Sequence, residues 1–113
     1  MNFFQELRQA SVTRQKEFFG DNITELTLEF HGNELAGEVG EACNEIKKLA
    51  RGRLGAAGAK TDHSDLQDEL ADVIICVEMI AQKLDIDIEQ AVRAKFNKTS
   101  EKYNLKTTMK EDS

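Results

Sequence analysis

Two rows of apolar residues decide what this chain can become. Leu35, Val39, Ala42, Ile46 and Leu49 advance by alternating steps of four and three, and Leu66, Leu70, Val73, Val77, Ile80 and Leu84 do the same. Residues three and four apart share one face of an α-helix, so each row is the apolar side of a helix. The sequence has no proline to interrupt either. The chain therefore reads as all-α. A first helix is expected over about residues 2–19, ended by "GDN" at 20–22, and a second from about 25 to 51 with Leu28 continuing its row. The stretch "RGRLGAAGAKTDH", 51–63, reads as a long mobile loop. A third helix starts after Ser64, with Ser64 and Gln67 placed as a capping box. A fourth covers about 88–103, with Asp87 as its N-cap and Ile88, Val92, Phe96 and Tyr103 facing inward.

At 113 residues the chain suits one domain, 1–113, with a core over 25–103 and a loose tail over 104–113. No apolar run approaches the roughly 20 residues of a membrane span. Glu6 and Arg8 stand where a signal peptide would be apolar, so a cytoplasmic protein is expected. Cys43 and Cys76 follow neither a disulfide nor a metal spacing and read as small buried thiols. The net charge of −6 argues against a nucleic-acid polymer as partner. The charge is uneven: residues 93–110 carry six basic side chains against Glu101, a balance of +5 that leaves −11 to the rest.

A carboxylate row runs beside each apolar row. Glu34, Glu38, Glu41 and Glu45 each precede Leu35, Val39, Ala42 and Ile46 by one residue, and Asp65, Glu69 and Asp72 precede Leu66, Leu70 and Val73. One residue turns a helix by about 100°, so each acid row lies on the shoulder of an apolar stripe. If the two helices pack through those stripes, the acids approach across the seam. Carboxylates about 4 Å apart repel by roughly 4 kcal/mol near a protein surface. A divalent cation offsets that, and an all-oxygen set suits Mg²⁺, Mn²⁺ or Ca²⁺ rather than zinc. Gly37 and Gly40 flank Glu38 and leave room for a backbone, ion or ligand. On pattern alone a solvated acidic face is an equal reading.

The segments "ELAGEVGEACNEIKKLARG" and "DELADVIICVEMIAQKLDIDIEQAVRAKFNKTSEKY" resemble the MazG-like all-α nucleoside triphosphate pyrophosphohydrolases, relatives of the all-α dCTP pyrophosphatases and dimeric dUTPases. The family signature is Glu-x-x-Glu on one helix and Glu-x-x-Asp on the next, and Glu38, Glu41, Glu69 and Asp72 match it. The resemblance implies a four-helix-bundle-like fold completed by homo-oligomerisation, as a dimer or a pair of dimers. It implies Mg²⁺-dependent hydrolysis of a nucleoside triphosphate to monophosphate and pyrophosphate, with those four carboxylates as ligands and Mn²⁺ as a substitute ion. In some relatives a glutamate beside the first ligand is the base; here that neighbour is Gly37.

Lys95, Lys98 and Lys102 form a stripe three and four apart, suited to phosphate oxygens or to balancing the acidic body. Lys95 and Tyr103 match positions of the family pattern. Phe30, His31 and Asn33 lie one turn before the acid row, where a base would be stacked and hydrogen-bonded; the competing reading makes Phe30 core and His31 surface. A non-catalytic helical module that binds nucleotide or metal is the alternative to an enzyme. A di-iron bundle needs Glu-x-x-His pairs, and neither His31 nor His63 follows a glutamate at that spacing.

Overall fold

A computed structural model describes residues 1–111. The order is α1 (Phe3–Phe19), a 3₁₀ segment (Gly20–Glu25), α2 (Leu28–Arg53), α3 (Ser64–Lys83) and α4 (Ile88–Lys102). There is no strand among the described residues, so the expected all-α class holds.

Local chemistry sets the helix starts. Asn2 opens α1 by accepting from the Gln5 backbone N–H while the Gln5 side chain accepts from the Asn2 N–H. Thr27 caps α2 by accepting from the Phe30 N–H at 3.1 Å, and Asp87 caps α4 by accepting from the Gln90 N–H at 3.1 Å. The capping box expected at Ser64 does not form. Asp62 accepts from both the Ser64 N–H and its hydroxyl, a tighter local turn that occupies the serine and holds the Asp62 carboxyl below its usual range.

α2 and α3 form an antiparallel hairpin that carries most of the packing, and α1 lies against α3. Arg8 of α1 donates to Glu78 of α3 and to the Ile86 carbonyl in the α3–α4 turn. Glu78 is only 1% exposed, so this ion pair is the polar centre of the α1–α3 contact. The buried apolar residues among those described are Leu26, Ala42, Cys76 and Ala81.

α4 stands apart from the other helices. Val92, Phe96 and Tyr103 are exposed rather than inward. The apolar rows of the hairpin are also only partly covered: Val39, Ile46, Leu70 and Leu84 are each more than 40% exposed. Periodicity identifies the apolar side of a helix but not whether the same chain covers it. The molecule is correspondingly open. Its radius of gyration is 17.6 Å, against about 13 Å for a compact chain of this length. Its accessible surface is 8439 Å², against about 6,200 Å² for a folded monomer of its mass.

Two further expectations are corrected. Cys43 is exposed while Cys76 is buried, because one residue past the buried Ala42 turns away from the hairpin. Of the tail expected to be loose, residues 112–113 lie outside the described residues, and the part before them is tied to α4: the Asn97 amide donates to the Met109 carbonyl and accepts from its N–H, both at 2.7 Å, and Arg93 donates to the Lys110 carbonyl.

Candidate metal centre

The two acid rows face each other across the α2–α3 seam. Going up α2 the positions are 34, 38, 41 and 45; going down α3 the matching positions are 76, 72, 69 and 65. Both helices step by four, three and four, so an antiparallel pair keeps the rows in register through four rungs. Three rungs are acid on both sides. At the fourth, Glu34 is opposite Cys76, whose thiol is pushed up to about 11 by burial and by the charges of Glu34, Glu38 and Asp72.

The middle of the seam is where carboxylates converge. Glu38, Glu41 and Glu69 each offer an oxygen, and the three lie within 4.8 Å of one another. Glu38 Oε2 and Glu69 Oε2 are buried with no hydrogen-bond donor in the chain. A buried acceptor without a donor is costly, so a proton or a cation belongs there. Without a cation the cluster keeps a proton. Glu69 is pushed up to about 7 by hydrogen bonding to Glu41, then by burial and by Glu38. Glu38 is raised by burial and by the Glu41 and Asp72 charges. The donors are all carboxylate oxygens, two of them buried and unpaired, and this fits a hard divalent ion. Asp72 stands outside the tight triangle but close enough for its charge to act on Glu38.

The two ends of the row differ. At one end His31 Nδ1 lies 3.4 Å from Glu34 Oε1 without forming a hydrogen bond. At the other, Lys60 Nζ sits between Glu45, at 3.0 Å, and Asp65, while Lys48 reaches Glu45 at 3.2 Å. The Lys60 hydrogen bond holds the Glu45 carboxyl below its usual range. The sequence reading missed Lys60 because it lies in a segment read as mobile. Its signal was Gly52, where a Cβ would collide with the Lys60 carbonyl. At Gly37 and Gly40, by contrast, no described residue outside the neighbouring turns of the helix comes within 4 Å of an added Cβ, so no such backbone uses that room.

A cavity of about 240 Å³ opens beside the carboxylates. Glu38 and Asp72 enter it from the seam; Phe19, Phe30 and His31 line its far side. His31 is 2% exposed, not a surface residue. The Phe30 ring meets His31 edge-on at 5.7 Å and Phe19 edge-on at 6.2 Å. Arg14 of α1 lines the same cavity. Asn33 is exposed and is not part of the lining. Lys95, Lys98 and Lys102 border a shallow groove of their own with Thr99 and Glu101, and none lines the cavity that Glu38 and Asp72 enter. Tyr103 is exposed, with the Lys102 ammonium 5.4 Å from its ring centre. A larger cavity, about 630 Å³, is a groove between α4 and the C-terminal segment and holds none of the clustered carboxylates.

Among known proteins, the family model described as "MazG-like family" matches residues 35–113. The Gene 37 protein of Mycobacterium phage L5 is 36% identical over 64 residues, a stretch covering 57% of this chain and 55% of that protein. The chain thus matches about half the length of this relative, whose name specifies no activity. No solved structure matches. No described helix is long and apolar enough to cross a membrane. The family match takes in the whole acid seam except Glu34, together with α3 and α4, and on it this chain belongs to the MazG-like family.

Proposed function

We propose that this protein hydrolyses nucleoside triphosphates, deoxynucleotides or non-standard nucleotides among them, to the monophosphate and pyrophosphate in a Mg²⁺-dependent reaction. One observation carries the reading: in a MazG-like chain, a carboxylate triangle with two unpaired buried oxygens opens directly onto a small aromatic-lined cavity.

Glu38, Glu41 and Glu69 would hold Mg²⁺ or Mn²⁺, and Asp72 is the fourth carboxylate in reach of the same ions. Bound divalent ions compensate the triphosphate charge and lower the pKa of an attacking water. Water adds to the α-phosphorus, the bond from that phosphorus to its bridging oxygen breaks, and pyrophosphate leaves. The proton of the water passes to a carboxylate of the cluster. At about 240 Å³ the cavity is smaller than a typical ligand pocket of 300–1,000 Å³. It suits a base, with the sugar and phosphates extending over Glu38 and Asp72. Phe30 and Phe19 supply apolar contact, and His31, whose buried Nδ1 has no hydrogen-bond partner among the described residues, supplies a polar edge.

The same reading makes the active unit a pair of copies or a pair of such pairs. The chain exposes some 2,000 Å² more than a compact monomer, more than the roughly 800 Å² per partner of a standard interface. A second copy would cover the apolar faces of α4 and the hairpin. It would also bring the stripe of Lys95, Lys98 and Lys102 to an acid seam, which opposite charge favours.

Pyrophosphate release measured across the NTPs and dNTPs, with and without Mg²⁺, tests the proposal. Turnover of at least one nucleotide that stops on chelation is expected. Folded protein inert toward all of them would overturn it.

A further inference from the structure

The carboxylates do not themselves distinguish the outer rung of the seam from the inner ones. Glu45 and Asp65 face each other just as Glu41 and Glu69 do, one helical turn further along. A divalent ion on that outer rung would lie about 6 Å further along the helix axis from the cavity. What distinguishes the rungs is Lys60. Its ammonium occupies the outer pair, and two separate features hold it there. Its backbone N–H donates to the Lys48 carbonyl at 3.1 Å, and its own carbonyl rests against the bare Cα of Gly52. Lys48 backs Glu45 from the other side. At the opposite end of the row the rung differs in composition: Glu34 faces a thiol in place of an acid, with His31 Nδ1 3.4 Å from Glu34. Among the described residues no lysine or arginine pairs with rungs 41/69 and 38/72, as Lys60 does with 45/65.

We propose that Lys60 is a built-in cation that plugs the outer end of the carboxylate seam and so confines divalent ions to the inner cluster beside the cavity. A tethered ammonium acts at an effective concentration of roughly millimolar or above, so it competes with free divalent ions on a two-carboxylate rung even with a weak intrinsic affinity. The inference rests on the metal reading of the inner cluster, but it is tested by counting ions rather than by turnover. A staple that only orders the loop would leave the ion count unchanged.

The test is Mn²⁺ titration followed by electron paramagnetic resonance. Lys60→Met, which keeps the stem and removes the charge, is expected to bind one more Mn²⁺ per chain than wild type. Lys60→Arg and the triple variant K60M/E45Q/D65N are expected to return to the wild-type count. A folded Lys60→Met with the wild-type count overturns the proposal. Should Lys60→Met not fold, E45Q/D65N decides: it keeps the wild-type count, and its affinity moves by less than the ~10–100-fold that loss of a supporting group around a ligand costs. Loss of an ion in E45Q/D65N would make Glu45 and Asp65 ligands and overturn the proposal. Wild type that binds Mn²⁺ but hydrolyses nothing would sink the proposed reaction and leave this one standing.

Discussion

Glu41 of α2 and Glu69 of α3 converge across the seam, each with an oxygen within 4.8 Å of the other, and the contact pushes the Glu69 carboxyl up to about 7. That upward shift fixes the direction of the pH response. Glu69 titrates near 7 in the folded chain and at the ordinary 4.5 unfolded. Between those values the folded protein holds a proton that the unfolded chain has released. The stability this contributes is complete below about 4.5 and is lost as pH rises through 7. Metal-free protein is therefore expected to melt at a lower temperature at pH 8 than at pH 5.5. Mg²⁺ should reverse the order, since it takes the place of the proton and binds best once the carboxyls are ionised. Thermal denaturation at the two pH values, with EDTA and with Mg²⁺, checks both statements.

Removing a charge from the cluster should separate stability from activity. Glu41→Gln and Asp72→Asn each relieve repulsion in the metal-free protein, so the melting temperature is expected to hold or rise. Pyrophosphate release should fall by about 10²-fold or more, the cost of losing a preorganised electrostatic group at a reacting centre. Parallel melting curves and initial rates decide. A variant that loses rate and stability together would mark these acids as structural.

The seam was legible in the sequence because both ingredients are local. Steps of four and three place Glu38 beside Val39 and Glu69 beside Leu70, whatever the rest of the chain does. Helix types and most boundaries were readable for the same reason. What could not be read depends on contacts between distant residues. His31 is buried at a cavity it shares with Gln15 and Phe19 of α1, and no feature of "EFHGN" announces that. Lys60 was hidden because a glycine-containing stretch reads as mobile unless one knows that Gly52 is spent on a close approach. The spacing of Lys95, Lys98 and Lys102 does put them along one groove of α4, but spacing alone does not say what that groove meets.

The Arg8–Glu78 pair offers a test of the α1–α3 contact that does not touch the site. Glu78 is 1% exposed and one of its oxygens has no donor, so it depends on Arg8. Arg8→Ala leaves a buried carboxylate without its partner and is expected to cost about 3–5 kcal/mol in urea unfolding. The double variant R8M/E78L removes both charges and should recover most of that loss. A double variant no more stable than Arg8→Ala would show that the pair is more than a satisfied charge.

Phe30 should govern base binding without touching the chemistry. Its ring sits between Phe19 and His31 at the cavity and is 38% exposed, so truncation opens the pocket more than it unpacks the core. An aromatic contact to a base is worth about 1–3 kcal/mol by alanine substitution. Phe30→Ala is therefore expected to raise KM by about tenfold or more with kcat little changed. Steady-state kinetics on the best nucleotide measures the split, and a fall confined to kcat would remove the base from this cavity.

The exposed side of α4 makes the last expectation specific. Val92 and Phe96 lie one turn apart and are 53% and 43% exposed on a helix that the other helices leave largely uncovered. Wild-type protein of 12.7 kDa is expected to elute with at least twice that mass in light scattering. Phe96→Asp places a charge in the middle of the patch, where desolvating it on association is costly. The variant should run as a monomer. Its helical signal should persist, because the caps of α4 and the Asn97–Met109 bonds do not involve the Phe96 side chain. If α4 carries phosphate-binding lysines to a neighbour's seam, the monomer loses pyrophosphate release while keeping Mn²⁺ bound at Glu38, Glu41 and Glu69. A fully active monomer would show that one chain's seam and cavity suffice.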